Sequence, residues 1–140
     1  MKTAVFTKGR VSVFLFAAFI FLFAAPSILP QSQETDINPK FVGNLNVGIK
    51  SSNEGLRKSC IYFTGVYLLK ECVPTLVEQL SKENNPNVKI LIALSLYRIG
   101  DENGIKAVEK LAAYDLNAKV RRIGNAILNE FEKDKRLTAK

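Results

Sequence analysis

From residue 38 onward, apolar side chains recur three and four positions apart, the spacing that lines one face of an α-helix. Six such stretches follow one another. The first opens at Asn38-Pro39, an N-cap followed by a first-turn proline, and runs to about residue 50 with Phe41, Val42, Leu45 and Ile49 on one side. Gly43 and Gly48 weaken it by about 1 kcal/mol each relative to Ala. The second, at about 54–68, carries Leu56, Cys60, Phe63 and Tyr67 as its stripe. Val73-Pro74 begins the third, at about 73–83, and Val73, Leu76, Val77 and Leu80 give it an apolar face. In the fourth, Asn85 caps, Pro86 takes the first helical position, and Val88, Leu91, Ile92, Ser95 and Ile99 lead to Gly100, a left-handed stop. Asp101 caps the fifth, which buries Ile105, Val108, Leu111 and Ala112. The sixth, at about 117–133, buries Val120, Ile123, Ile127 and Phe131.

These stretches repeat. Leu56-Arg57-Lys58, Val88-Lys89-Ile90 and Val120-Arg121-Arg122 fall in register at an offset of 32 residues, as do Val73 with Ile105 and Leu76 with Val108. A period of that length is one helical hairpin, too small to bury its own apolar face and stabilised by stacking on its neighbours. The expected fold is therefore all-α, a short α-solenoid of antiparallel helix pairs with about six helices over 38–133, followed by a charged tail at 134–140.

The stretch Val88-Lys89-Ile90-Leu91-Ile92-Ala93-Leu94-Ser95-Leu96-Tyr97-Arg98-Ile99-Gly100-Asp101 resembles the first helix and turn of a short HEAT repeat, of the kind also found in phycobilisome-lyase-like proteins. Val120-Arg121-Arg122 begins another copy, and residues 56–80 form a more divergent one that keeps Gly65 and Val73-Pro74-Thr75-Leu76. The resemblance covers roughly residues 41–131 and implies a protein-binding α-solenoid, with no enzymatic activity read from the lyase-like label. It also implies that an Asp in the mid-unit turn pairs with the Arg opening the next unit. Only the second unit has such a pair, Asp101 and Arg121, and Leu69 stands at the equivalent place in the first. On that ground Arg57, Lys89 and Arg121 read as surface charges, each worth little.

The beginning of the chain follows a different pattern. Lys2, Lys8 and Arg10 precede an apolar run at 11–25, interrupted only by Ser12 and ended by Pro26 and Pro30. Residues 1–32 read as a secretory signal peptide, with an uncleaved N-terminal anchor as the alternative, and 33–37 as a polar spacer. Cleavage after Ser27 or Ser32 fits, and no cysteine near the end of the run supports a lipoprotein. The expected location is the periplasm or the exterior, or the membrane if the segment is retained.

With that segment set aside, 17 basic residues face 13 acidic ones, a balance of +4. Both signs are interspersed as on a solvated helical surface, so no nucleic-acid partner is expected. Two cysteines in an exported chain raise the question of a disulfide. If their helices run antiparallel about a turn near Leu69, Cys60 and Cys72 lie roughly 10 Å or more apart, beyond the ~7 Å limit for a bridge, and two buried free thiols are expected. The chain contains no histidine. Ser-His-Asp and Cys-His arrangements are thereby excluded, and no catalytic, metal-binding or cofactor-binding residue is expected.

In a solenoid the second helices line one concave face. There the offset aligns Asn46, Glu78 and Lys110 in one row and Lys50, Lys82 and Tyr114 in another, each opposite the apolar stripe of its helix. These six are the candidate protein-binding residues, Tyr114 foremost as an exposed aromatic. The plainer reading is that they are the solvated faces any amphipathic helix has. The expected function is a non-enzymatic binding module or adaptor for an envelope protein or peptide. The alternative is a structural protein that self-associates through incomplete end units, with Phe41 and Leu45 uncovered.

Overall fold

Asparagine side chains set most of the helix starts. The computed structural model describes residues 38–138, which form six α-helices and no strand: α1 Pro39–Ile49, α2 Glu54–Val66, α3 Val73–Lys82, α4 Pro86–Ile99, α5 Glu102–Tyr114 and α6 Ala118–Thr138. The all-α expectation holds. The expected signal segment and spacer lie outside the described residues, and no helix among those described is long and apolar enough to cross a membrane. Asn53 Oδ1 accepts from the Leu56 amide at 3.0 Å, Asn85 Oδ1 from Asn87 at 2.9 Å, and Asn117 Oδ1 from Lys119 at 2.9 Å. Each bond satisfies a donor that the first turn leaves orphaned. Asn38 does the same for α1 and Asp101 for α5. Only α3 lacks a side-chain cap, and it is entered instead through a 3-10 turn, Lys70–Cys72, with Pro74 in its first turn.

Two helix ends depart from expectation. Helix α2 stops at Val66 rather than 68 because Leu68 adopts a left-handed conformation, φ +54°, and the Leu69 amide reaches back to the Thr64 carbonyl at 3.0 Å. This is a Schellman closure, with Leu69 buried beneath it. One repeat later the same position is Gly100, φ +70°, where glycine adopts the conformation without a Cβ penalty. Helix α6 continues to Thr138, past the expected end at 133, so most of the charged tail is helical. Lys135 and Arg136 in its last turn complement the helix dipole.

Packing sorts the helices into two rows. α2 packs on α4 and α4 on α6; α1 packs on α3 and α3 on α5; the rows meet through α1–α2, α3–α4, α4–α5 and α5–α6. Ile49, Ile61, Leu76, Val88, Ile92, Leu96, Val108 and Val120 are fully buried between them. Glycines allow the closest approaches. A Cβ on Gly65 would come within 2.9 Å of the Ser95 Cα, and one on Gly124 within 2.9 Å of the Ala112 Cβ. At the first of these contacts the Ser95 hydroxyl, buried, donates to the Ile61 carbonyl at 2.9 Å, and Arg98 Nε donates to the Gly65 carbonyl at 3.2 Å.

The buried faces of α3, α4, α5 and α6 follow the expected stripes, with Val77, Leu91, Ile123 and Phe131 only partly covered. Helix α2 does not. Its buried residues are Cys60, Ile61, Thr64 and Gly65, while Leu56, Phe63 and Tyr67 are exposed, as is Phe41 on α1. Among the described residues α2 has a row neighbour on one side only, and the apolar side chains on its other side are exposed. Leu45, expected to be uncovered, is buried.

Glycine substitutions test this packing by thermal or denaturant unfolding. Gly65→Ala should destabilise by about 1–3 kcal/mol, because the added methyl meets the Ser95 backbone. Gly43→Ala, which meets nothing within 4 Å, should stabilise by about 0.5–1 kcal/mol. Leu68→Gly should also stabilise, by up to about 1 kcal/mol, by relieving the left-handed leucine.

Candidate protein-binding surface

The turns that deliver each helix of the α2, α4, α6 row share one construction. Two residues before each capping asparagine stands an acceptor that takes that asparagine's amide: Ser51 Oγ at 3.1 Å, Glu83 Oε1 at 3.0 Å and Asp115 Oδ1 at 2.8 Å. Four residues after the asparagine stands the basic residue, Arg57, Lys89 or Arg121. Arg57 Nε binds Glu83 at 2.9 Å and Lys89 Nζ binds Asp115 at 2.5 Å, both pairs largely withdrawn from solvent. Arg57 and Lys89 thus each reach from their own helix to the turn that starts the next helix of the row. Arg57 and Arg121 also donate to the carbonyl six residues back, Ser51 at 2.7 Å and Asp115 at 2.6 Å.

This corrects the reading of Arg57, Lys89 and Arg121 as surface charges and of Asp101 as the partner of Arg121. Asp101 is used as a cap, and Leu69 is buried under the Schellman turn. The pairing acids are instead Glu83 and Asp115, at unit ends rather than in mid-unit turns. Burial pushes the Glu83 carboxyl up, but the Asn85 amide, the Gln79 amide group and the Arg57 guanidinium outweigh it and hold the group below its ordinary value. Asp115 is likewise pushed up by burial and pulled further down by Lys89 and the Asn117 amide.

The six candidate residues divide into three sets. Lys50 and Lys82 both grip Glu78, each at 2.6 Å, and together lower its carboxyl to about 2. This exposed triad bridges α1 and α3 and presents one net positive charge. Lys110 and Tyr114 lie on α5 at the rim of a groove of about 390 Å³ between α3 and α5. Its floor is Val77, Leu80, Ala107 and Leu111, and the Lys89–Asp115 pair borders it. Tyr114 is 82% exposed. Asn46 belongs with neither set: it is half-buried and its Oδ1 is enclosed without a hydrogen-bond partner, contrary to its expected place on a solvated face. Sequence reasoning assigned Val77, Leu80 and Leu111 to the core; that they also floor a groove depends on how far apart α3 and α5 stand.

Cys60 and Cys72 are free and buried, as expected, and burial raises both thiols, that of Cys72 to about 11. Cys60 fills the space that Gly48 leaves on α1. Among the described residues no group of three acidic or cysteine side chains is arranged to hold a metal ion. Comparison with protein-family models, with curated proteins and with solved structures finds no match.

The struts make a distinct energetic prediction. Glu83→Ala strands the Arg57 guanidinium and two backbone amides and should destabilise by about 3 kcal/mol, whereas Glu78→Ala should leave the melting temperature near that of the parent. Because the folded-state carboxyl values of Glu83 and Asp115 lie below the unfolded ones, their contribution is complete at neutral pH. It is lost as pH falls through and below the ordinary values of 4.5 and 3.8. Melting temperature should be flat from roughly pH 7 to 5 and then decline, with a shallower decline in Glu83→Gln.

Proposed function

We propose that the protein is an exported, non-enzymatic binding module, a short HEAT-like α-solenoid that holds a protein or peptide of the cell envelope against its α1, α3, α5 row. One observation carries the architecture. The capped turn and its ion-pair strut recur at a constant 32-residue offset, Arg57 to Glu83 and Lys89 to Asp115, as in an array built by translating one unit. The α3–α5 groove supplies a surface suited to the role. It has an apolar floor, an exposed tyrosine that can anchor a contact, and Lys110 positioned for a partner's carboxylate. The Lys50–Glu78–Lys82 triad extends the same row with a mildly positive surface. Export rests on Lys2, Lys8, Arg10 and the apolar run at 11–25. Self-association is the second reading, favoured by the exposed aromatic side chains of α1 and α2.

Two experiments separate architecture from use. Tandem duplication of residues 86–117 adds one unit to a translational array, so the longer protein should fold cooperatively with a higher melting temperature; a closed bundle would lose cooperativity. A photo-activated cross-linking residue at Tyr114, introduced in living cells, should trap a discrete partner. The same residue at Asn129 on α6 should not, and equal or absent trapping at both sites would reject the groove.

A further inference from the structure

The two ends of the α2, α4, α6 row are built differently, and the repeat register brings out the contrast. Position by position, Val88, Ser95 and Ile99 share one side of α4 at seven- and four-residue spacing and are all buried, and Ser95 among them touches the α2 backbone. The corresponding residues of α2 are Leu56, Phe63 and Tyr67, and the counterpart of buried Val73 is Phe41. Phe63 is 42% exposed where Ser95 is 3%, and Tyr67 is 48% exposed where Ile99 is 6%. These side chains stand where a preceding helix would lie, and they are large and apolar rather than polar. Their rings already associate: Phe41 meets Tyr67 edge-on at 5.7 Å, and Phe63 stacks on Tyr67 at 6.1 Å. The opposite end is closed. The face that α2 turns toward α4 holds Ile61 and Gly65, and in α6 those positions are Asn125 and Asn129, polar and exposed. A terminal repeat of an array is soluble when its outer face is polar, and α6 meets that condition while α2 does not.

We infer that the open α2 face is the interface of a closed, two-fold symmetric homodimer, in which α2 packs on α2 of a second copy and continues the helix row through the symmetry axis. The inference rests on the repeat architecture proposed above. A second copy is the occupant that this asymmetry selects. Head-to-tail stacking would set Phe63 and Tyr67 against Asn125 and Asn129, burying amides without partners. Pairing α2 with α2 buries aromatic surface against aromatic surface, leaves both α6 ends polar and stops at two copies. The α3–α5 groove lies on the other helix row and stays open in the dimer.

Sedimentation of the purified protein across micromolar concentrations tests this. A monomer–dimer equilibrium is expected, with Phe63→Glu weakening it by roughly 30-fold or more, the effect of losing a hot-spot residue. Leu56→Glu, at a position more exposed still, provides a second variant. Both should keep the parent helical spectrum and melting profile measured on the monomer, and Asn129→Glu should leave the dimer intact. In Phe63→Cys, mild oxidation should link two chains through the introduced thiols. A monomer at all concentrations would overturn the inference, whether the face is then covered by the residues before α1 or, as partition into phospholipid vesicles would reveal, by a lipid surface. Assemblies that keep growing beyond two copies would overturn it in favour of head-to-tail stacking. The duplicated-unit protein reads the repeat independently: if it folds cooperatively while the parent stays monomeric, only the dimer is rejected.

Discussion

The contact between the α2 and α4 backbones at Gly65 and Ser95 is the constraint on which the remaining geometry depends. Glycine removes the side chain that would hold the helices apart, and the Ser95 hydroxyl then reaches the Ile61 carbonyl. That close approach brings the start of α4 near α2, so that Arg57 can reach Glu83 in the turn ahead of α4. A wider separation would leave a buried guanidinium and a buried carboxylate without each other, which costs more than the pair contributes when made. Close packing and ion pairing therefore depend on one another. Farther along the row the Lys89–Asp115 pair ties α4 to the turn ahead of α6.

The turns carry as much of the architecture as the helices do. Each one leading into the α2, α4, α6 row uses a polar side chain to fix the amide of an asparagine, which in turn caps the helix. The acidic versions of that side chain then receive a cation from the preceding unit. Cap, turn and strut are thus one connected set of charge-assisted hydrogen bonds rather than separate local devices. Helices α3 and α5 lack this shared turn. The α1, α3, α5 row carries the groove at Tyr114, the surface used in the proposed function.

The two outer faces of the α2, α4, α6 row differ in character. Asparagines finish α6, while aromatic and aliphatic side chains finish α2. Exposed apolar residues scattered singly are ordinary, but Phe41 and Phe63 each contact Tyr67, and the counterparts of all three 32 residues later are buried. The Leu68 turn adjoins them, holding a leucine where the next unit has glycine.

Periodicity and capping chemistry made the helices legible in the sequence, because both are local: a stripe at three- and four-residue spacing, or Asn85-Pro86 ahead of it, needs no knowledge of what lies across the fold. The 32-residue register was legible for the same reason, and it placed Cys60 and Cys72 in the core as free thiols. Charge pairing was not, since Arg57 and Glu83 are 26 residues apart and meet only through helix spacing. The α2 stripe misled because hydrophobicity marks which side chains favour burial, whereas burial itself requires a neighbour, and the first helix of a row has one on a single side. Sequence alone therefore determined the helices, their repeat and their caps, all set by interactions within a few residues. Tertiary structure alone decided which faces are covered, which charges meet and where a groove opens, because those depend on distances between helices that no local pattern encodes.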